Sequence, residues 1–520
     1  MGSLYRLSKE ENKSLTQLLN EALEKYLTEK NQKKTIEKMQ KLPKLSLGNK
    51  PLTREEIYEV NMNKETNTKT LIYQIGRFDK NFNNPLKFKI KEKIYEKPLS
   101  SFALKEFLSP DKNDTAVILI YPISLLLNPQ VKSWNLPTDF KEKLFKLLES
   151  PEEKENYLKN PTEYFKLHPH SKIADDFSII HSIGEYNGIK FSATFDDIFL
   201  NILFDMLTRY LDALYSGTPI SQVFIDISSG HNIYVSALIE TTRYFLTFHK
   251  LRNWDEEYKL KVYLVFSDPI LGQHKREYEI HTNYKFDVKA FFSIPIKIRR
   301  NEASFAKKLT NNNKEIKKKI QPFFEKACLF YSMIKNNAPL CLYTFSRHSL
   351  NQIDETIKTI IEFGKNRLHE SWQNSPQLSR LDFIKALFLL ALYYGIVKIL
   401  EKNKIFPKPE VSISEIKEKF TSKNNSIYFY FNLPLNRNYL SHEISNYFNE
   451  KAKFQSEWRL LREYLSGEKS SQIDHRNFIA HCGFERNCTE VKKEGNEIFV
   501  RYKKENKILE RIEKILEDYI

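Results

Sequence analysis

Cysteine is scarce in this chain. The 520 residues include four cysteines, Cys328, Cys341, Cys482 and Cys488, and none of them belongs to a CxxC pair. A structural zinc site and a thioredoxin-like redox pair are therefore not expected. Four cysteines in a chain of this length are typical of reduced thiols, which predicts a cytoplasmic protein.

Common phosphate-binding motifs and long apolar segments are also missing. The sequence has no GxGxxG and no Walker A lysine, which disfavours a dinucleotide-dependent enzyme and a P-loop NTPase. The longest apolar run, from Ala386 to Val397, is too short to cross a bilayer, so it predicts a buried core helix and no membrane partner. The first thirty residues are charged throughout, and no signal peptide is expected.

Positive charge, by contrast, is abundant. Lys and Arg total 82 against 66 Asp and Glu, which gives a formal net charge of +16. A protein this basic often binds a polyanion, although a Lys-rich solvated surface explains the charge equally well. Hydrophobic residues make up 41% of the chain, enough to bury a sizeable core.

The hydrophobic pattern predicts three regions and the fold class α/β plus all-α. Residues 1–65 are expected to form a helical N-terminal extension and a linker. Residues 66–295 alternate strands with helices, which predicts an open parallel sheet of Rossmann-like type. Residues 296–520 have helical periodicity and predict a helical linker and a second, all-helical domain.

Continuous apolar runs predict the parallel strands of the α/β region, since such strands are buried on both faces. The strands are expected at 71–76, 116–121, 223–227 and 261–266, with helices at about 196–214 and 233–248. In the C-terminal region helices are expected at 306–333, 353–369, 380–402, 413–420, 442–465 and 508–520, with a hairpin at 489–502.

The segment that follows the third predicted strand is a candidate binding site. It combines two hydroxyls, a glycine and a helix N-terminus, which suit a phosphate group. The candidate residues are Ser228, Ser229, Gly230, His231 and Asn232. A helix cap with a turn explains the same residue types, and spacing alone favours that simpler interpretation.

The first predicted strand ends in a second polar set, formed by Gln74, Gly76 and Arg77. Ligands of open parallel sheets bind beyond the carboxyl ends of the strands. We therefore expect these residues to add a close backbone approach and a cation to the same binding edge.

The segment Asp226-Ile227-Ser228-Ser229-Gly230-His231-Asn232 resembles the DxTHGxN signature of CARF domains in CRISPR-associated proteins. Residues 182–188, SIGEYNG, are similar to another segment of that family. Two serines stand where Thr and His are usual, and the histidine lies one place beyond the glycine. The resemblance implies a domain that binds a cyclic oligoadenylate across a dimer interface, with cyclic tetra-adenylate as the expected activator and no cofactor.

A second motif, Arg476-Asn477-Phe478-Ile479-Ala480-His481, lies in the helical region. Arg–His pairs of similar spacing occur elsewhere at 243–249, 276–281 and 437–442, so spacing alone does not single it out. The first two of these lie in the sensing half. The pair Arg437 and His442 is the serious rival, because it lies in the helical half and is expected in a loop that enters a helix.

Context favours the motif at 476–481. RNFIAH followed by the xGxE pattern of residues 482–485 resembles the catalytic motif of CARF–HEPN ribonucleases. The resemblance implies Arg476, Asn477 and His481 as catalytic residues at a homodimer interface, and no metal ion. The simpler interpretation of each such pair is a satisfied surface Arg and His.

These residue types suit cleavage of RNA through its own 2′-OH. Histidine titrates near neutral pH and serves as acid or base, while arginine stabilises the phosphorane through paired donors. The expected products carry a 2′,3′-cyclic phosphate and a 5′-OH, and DNA is expected to resist.

The spacing also has a geometric consequence. Residues five apart on a helix lie roughly 140° apart around the axis, so Arg476 and His481 would not share a face. Asn477 would share a face with His481 and is expected to orient the imidazole. A composite site made from two chains would solve the geometric problem.

The sequence therefore predicts a cyclic-oligoadenylate-activated, metal-independent endoribonuclease of type III CRISPR defence, acting on single-stranded RNA as a homodimer or higher oligomer. No stable DNA complex is expected. Two alternatives stay open: a ligand-sensing nucleic-acid-binding regulator without catalysis, and a HEPN ribonuclease toxin that needs no activator.

Overall fold

The structure, a computed structural model, describes residues 68–82, 84–109, 114–269, 277–295, 302–450, 453–465 and 472–519. The helical extension predicted within residues 1–65 lies outside the described residues, as does Arg276. Residues 67–520 form one compact unit.

An eight-stranded sheet organises the N-terminal half. Its strands are β1 (Lys69–Ile75), β2 (Leu86–Ile90), β3 (Lys93–Lys97), β4 (Thr115–Pro122), β5 (Asp176–Ile180), β8 (Ile220–Asp226), β9 (Lys261–Ser267) and β10 (Tyr278–Phe286), and a separate hairpin consists of β6 (Ile183–Tyr186) and β7 (Ile189–Ser192). The strand order is β3-β2-β10-β9-β8-β1-β4-β5.

The centre of this sheet confirms the predicted parallel architecture. Strands β9, β8, β1, β4 and β5 are neighbours and all run parallel. Strand β10 pairs antiparallel with β9, and the β2–β3 hairpin continues the sheet beyond it. The four predicted strands are β1, β4, β8 and β9, the apolar ones at the centre.

Side chains of the central strands alternate between two hydrophobic cores. On β4, Ile118 and Ile120 face one core while Val117 and Leu119 face the other. The helices of this half are α1 (Ser100–Leu108), α2 (Thr138–Glu149), α3 (Pro151–Lys159), α4 (Thr162–Phe165), α5 (Pro169–Ile173), α6 (Phe195–Tyr215) and α7 (Asn232–Arg252). A sheet covered on both faces is the expected Rossmann-like arrangement.

The C-terminal half is mainly helical. Its helices are α8 (Glu302–Leu309), α9 (Lys314–Lys335), α10 (Pro339–Thr344), α11 (Leu350–His369), α12 (Arg380–Lys402), α13 (Ile413–Thr421), α14 (Ile427–Tyr430), α15 (Pro434–Phe448), α16 (His475–Ala480) and α17 (Asn506–Asp518). A small sheet accompanies them in the order β11 (Val411–Ser412), β14 (Glu497–Tyr502), β13 (Thr489–Glu494), β12 (Arg459–Leu460). Strands β13 and β14 are the predicted hairpin.

Two predicted helices were wrong in extent. The segment 306–333 forms two helices, because Asn311 and Asn312 adopt left-handed backbone angles (φ 48° and 65°) and Asn313 caps the second helix. The helix predicted at 442–465 begins at Pro434 and ends at Phe448, and residues 459–464 form a short strand and a 3₁₀ turn. Proline favours the first turn of a helix, which fixes the earlier start.

Helix α12 is the centre of the helical half. Among the described residues it is the one helix long and apolar enough to cross a membrane, and 78% of its most apolar window is buried inside the protein. The prediction of a buried core helix at 386–397 is confirmed by the burial of its side chains. Helix α7 of the α/β half packs along α12, and a single hydrophobic core includes residues of both halves.

Candidate functional site

The carboxyl ends of β1 and β8 meet at the predicted binding edge. The side-chain amide of Gln74, which is 1% exposed, donates to the hydroxyls of Ser100 (2.9 Å) and Ser229 (3.1 Å). The Ser229 hydroxyl donates to the backbone oxygen of Ile75 (2.7 Å). The structure therefore brings Gln74 and Ser229 together, and both hold the two strand ends against each other.

Asp226, at the end of β8, organises the loop that follows. Its buried carboxylate accepts hydrogen bonds from the hydroxyl and amide of Ser228 (2.5 and 2.9 Å) and from the hydroxyl of Ser100 (2.6 Å). Burial raises the pKa of Asp226. The Ser228 hydroxyl also accepts a hydrogen bond from the amide of Ser267 on β9 (2.8 Å). The hydrogen bonds of this hydroxyl are therefore made within the protein.

Both candidate glycines are required by close packing. A Cβ at Gly230, where φ is 111°, would lie 2.7 Å from Ile75. A Cβ at Gly76 would lie 2.1 Å from the ring of Tyr121. A side chain at either position would clash unless the surrounding residues shifted.

The exposed part of this edge consists of Gly230, His231 and Asn232, where α7 begins. His231 occupies the N-cap position, but its side chain makes no capping hydrogen bond. Arg77 forms an ion pair with Asp79 and donates to the backbone oxygen of Asn81 (3.2 Å). Its charge is therefore balanced locally, and the surface open to a ligand is formed mainly by the first turn of α7.

The segment 182–188 adjoins the same helix end. The Ser182 hydroxyl accepts from the amide of Ser124, just beyond β4 (3.0 Å). Tyr234, in the first turn of α7, directs its hydroxyl towards both serines. The two segments selected by sequence resemblance thus belong to one edge of the sheet.

In the helical half, the candidate motif forms the short helix α16. Asp474 caps its N-terminus by accepting from the amide of Asn477 (2.7 Å), and His481 is the C-cap residue that follows Ala480. The chain then takes two left-handed residues, Cys482 (φ 54°) and Gly483 (φ 78°). The amide of Gly483 bonds the oxygen of Phe478 (2.9 Å), which completes a Schellman motif and turns His481 out of the helix.

The residues of the xGxE pattern hold this turn in place. A Cβ at Gly483 would lie 2.9 Å from the hydroxyl of Tyr502, which donates to the Gly483 oxygen. Glu485, 1% exposed, accepts from the amide and the side chain of Asn487 (2.7 and 2.9 Å), and burial raises its pKa. Glycine and glutamate therefore support the loop that carries His481.

Glu443 on α15 orients the imidazole of His481. Its Oε2 lies 2.9 Å from Nδ1 of His481, and the two side chains are 8% and 37% exposed. A carboxylate accepts the proton of Nδ1, so Nε2 is left for a substrate. In the structure the orienting contact is made by Glu443 on another helix, and the orienting role expected of Asn477 stays a prediction.

A cavity of about 400 Å³ opens beside His481, and its lining is Tyr447, Leu465, Asn477, His481 and Arg486. Two of the predicted residues, Asn477 and His481, therefore share it. Arg476 is exposed on α16, is absent from this lining, and has no ion pair or hydrogen bond of its side chain within the described part of the chain. Within one chain the structure does not bring Arg476 and His481 together.

Three neighbours of His481 were missed by sequence reasoning: Glu443, Tyr447 and Arg486. Burial raises the pKa of Tyr447 to about 12, so its hydroxyl stays protonated at neutral pH. Glu443 adjoins His442 of the rival pair, but no local pattern connects it with a histidine 38 residues away. Of the three, Arg486 could have been found from the sequence, because it directly follows the xGxE pattern.

The rival pair lies elsewhere. Arg437 and His442 are both inside α15, not in a loop as predicted, because the helix begins at Pro434. His442 lines a different cavity of about 580 Å³, and Arg437 is not part of that lining. Arg243 and His249 lie on α7, where burial lowers the pKa of His249 to about 3. In the described ranges, no group of three or more His, Cys, Asp or Glu side chains could hold a metal ion.

Fold and site together define a protein that joins a Rossmann-like sheet domain to a helical domain with an Arg–His motif. A family model described as "CRISPR system endoribonuclease Csx1, CARF domain" matches residues 70–269, and one described as "CRISPR system endoribonuclease Csx1, HEPN domain" matches residues 433–505. The chain belongs to the CRISPR-associated CARF–HEPN family.

A curated relative agrees with this assignment. The CRISPR system endoribonuclease Csx1 of Methanocaldococcus jannaschii is 23% identical over 295 residues, which cover 52% of this chain. The alignment spans 59% of the relative's own length.

Proposed function

We propose that the protein is an endoribonuclease of CRISPR antiviral defence that cleaves single-stranded RNA without a metal ion. A cyclic oligoadenylate, with cyclic tetra-adenylate as the expected form, binds the sheet domain and activates the helical domain. The protein acts in the cytoplasm as a homodimer or higher oligomer. The observation that carries this proposal is the His481–Glu443 pair, which opens on a cavity shared with Asn477.

The pair supports acid–base chemistry on RNA. Glu443 holds the proton of Nδ1, so the neutral imidazole of His481 presents an acceptor at Nε2 and the protonated form presents a donor. Attack of the 2′-oxygen on the adjacent phosphorus forms the cyclic phosphate, and the bond to the 5′-oxygen breaks. No water is consumed in this step, and one proton passes from the 2′-OH to the leaving oxygen.

The sheet edge supports ligand sensing. Its exposed surface is the N-terminus of α7, where backbone amides and the positive end of the helix dipole favour an anion. For activation, the ligand must bind one arrangement of the protein more tightly than another.

The test is cleavage of a labelled single-stranded RNA in EDTA, with and without cyclic tetra-adenylate or cyclic hexa-adenylate. His481→Ala is the test variant. His442→Ala is its matched control, since His442 lies on α15 and lines the other cavity. We expect ligand-dependent cleavage that survives EDTA, vanishes in His481→Ala and persists in His442→Ala. An RNA with 2′-deoxy sugars at the cleavage sites should resist.

Each of the other outcomes would indicate a different function. Cleavage that ignores the cyclic ligands would indicate an activator-independent ribonuclease. Cleavage that persists in His481→Ala and is lost in His442→Ala would move the site to the rival pair. No cleavage under any condition would indicate a non-catalytic regulator, and ligand-dependent binding of RNA would then be measured.

A further inference from the structure

Arg486 lines the same cavity as His481 within one chain. It lines the cavity of about 400 Å³ together with His481, Asn477 and Tyr447. Of the residues that the structure describes, no carboxylate forms an ion pair with its guanidinium. A partly buried arginine that lacks a close ion-pair partner and lies beside an acid–base histidine is suited to bind an anionic group.

The backbone on both sides of Arg486 is fixed. Its oxygen accepts from the amide of Arg462 (3.1 Å). Glu485 before it is buried, and the amide of Asn487 after it bonds the Glu485 carboxylate (2.7 Å). The base of the side chain is therefore held rigidly relative to the turn that carries His481, as a preorganised electrostatic contact requires.

The cavity electrostatics agree with an anion next to Arg486. Burial raises the pKa of Tyr447 to about 12, while the charge of Arg486 acts to lower it. Tyr447 stays a neutral donor at neutral pH, and its ring meets the imidazole of His481 edge-on with centroids 5.5 Å apart. The cavity thus offers hydrogen-bond donors from Arg486, Tyr447 and Asn477 around the histidine.

We propose that Arg486 binds the scissile phosphate of the RNA and stabilises the phosphorane in the same chain that supplies His481. This inference rests on the proposed ribonuclease function. As the 2′-oxygen bonds to phosphorus and the 5′-oxygen leaves, negative charge grows on the two non-bridging oxygens. The paired donors of a guanidinium match those oxygens, and Arg476 of the same chain is absent from the lining of this cavity.

The test compares single-turnover cleavage by Arg486→Met, Arg486→Lys and Arg511→Met, with activator and EDTA present. Arg511 is the matched control, because it is exposed on α17 and lies outside both cavities. Loss of one preorganised donor is expected to lower the cleavage rate of Arg486→Met about 10²- to 10³-fold. Arg486→Lys should recover part of the rate, since it restores the charge without the paired geometry. Arg511→Met should match the parent protein.

Binding separates a phosphate contact from a folding defect. The affinity for a 2′-deoxy-substituted, uncleavable form of the same oligonucleotide is measured against salt concentration. Losing one phosphate contact should reduce the slope of log K against log salt by about 0.7 for a single strand. If Arg486 has a merely structural role, the slope should be unchanged in Arg486→Met. An unchanged slope together with a lowered thermal midpoint of unfolding would overturn the proposal.

Cleavage by Arg486→Met within about threefold of the parent rate, under conditions in which His481→Ala is inactive, would also overturn it, since a loss of that size is about 0.7 kcal/mol. The cation would then come from elsewhere, and Arg476→Met would be the next variant. Activity in His481→Ala would instead contradict the ribonuclease site itself, so the two failures are distinguishable.

Discussion

The contact between Glu443 and His481 can be tested by changing the Glu443 carboxylate. In Glu443→Gln the amide still accepts the Nδ1 proton, but it no longer stabilises the charged imidazolium that forms during proton transfer. We expect kcat for RNA cleavage to fall about 10²-fold or more, with little change in KM. The measurement is steady-state cleavage with activator present.

Glu443→Asp is the informative companion to this variant. It keeps the charge on a shorter side chain, so partial recovery of kcat would support a positioning role for the carboxylate. Equal KM increases in both variants, with kcat intact, would show instead that Glu443 contributes to RNA binding.

The backbone geometry of Gly483 leads to a second prediction. Gly483 and Gly495 both have left-handed φ angles (78° and 56°), but a Cβ at Gly495 meets nothing within 4 Å while one at Gly483 meets Tyr502 and Ala338. Gly483→Ala should therefore cost about 1–3 kcal/mol of unfolding free energy and also lower cleavage, because the His481 turn shifts. Gly495→Ala carries only the backbone strain and should leave cleavage unchanged. Urea unfolding and RNA cleavage measure the two effects.

The sequence could supply one part of this site but not the rest. RNFIAH followed by xGxE is a local pattern, so His481 and Asn477 were identifiable. Glu443 was not, because its contact with His481 joins residues 38 positions apart on different helices. A helical-wheel argument assigned the orienting role to Asn477, but that argument assumes a continuous helix, and the helix ends at Ala480.

Strands differ in how far sequence predicts them. The central strands β1, β4, β8 and β9 are apolar on both faces and were predicted. Strands β2, β3, β5 and β10 were missed, because they lie near the sheet edges and mix polar with apolar residues, as in LKFKI of β2 with its alternating burial. Only pairing with a neighbouring strand makes such segments recognisable.

Helices α7 and α11 are joined by a buried ion pair that can be tested. Arg252 and Asp354 form a bidentate contact, and the guanidinium lies 3.6 Å from the centroid of the Tyr394 ring. In Asp354→Asn the buried cation loses its partner, so we expect a loss of about 3–5 kcal/mol in unfolding free energy. Chemical denaturation measures it.

The double variant Arg252→Met with Asp354→Leu is the control for this pair. It removes both charges, so it should recover much of the stability that either single change loses. A double variant no more stable than Asp354→Asn would mean that packing around Tyr394, and not the unpaired charge, carries the effect.

The short helices before β5 predict a pH dependence. Burial lowers the pKa of His170 to about 4, and its Nε2 donates to the backbone oxygen of Phe82 (2.8 Å). The unfolded chain has the ordinary histidine pKa of about 6.5, so it binds more protons than the folded chain between these values. Stability should fall as pH drops from about 6.5 to 4, by up to about 3 kcal/mol from this group.

Urea unfolding at a series of pH values measures that dependence. His170→Gln removes the titrating group and should flatten the slope in this window. An unchanged slope in His170→Gln would assign the acid sensitivity to other buried histidines, of which His168 is the nearest neighbour.

Across the whole molecule, α7 connects the candidate binding edge with the helical half. It begins at Asn232 beside the exposed sensing loop and ends at Arg252 in the buried ion pair. Two residues later Trp254 meets the ring of Phe431 (centroids 5.4 Å apart), and Phe431 lies just before α15, the helix that carries Glu443. Movement of α7 would therefore be transmitted towards the helix that orients His481 through the Trp254–Phe431 contact.

This arrangement predicts a variant that senses the ligand without transmitting the signal. Trp254→Leu weakens the contact with Phe431 but is remote from both candidate sites, so cyclic tetra-adenylate should bind as before while its stimulation of cleavage falls about 5- to 150-fold. Trp134→Leu is the matched control, since Trp134 is buried in the other core and a similar loss of packing there should leave stimulation intact. Calorimetric binding and RNA cleavage are measured on the same samples. Equal loss of stimulation in both variants would mean that general stability, and not the Trp254–Phe431 contact, limits activation. Loss of ligand binding in Trp254→Leu would instead mean that Trp254 stabilises the binding site itself.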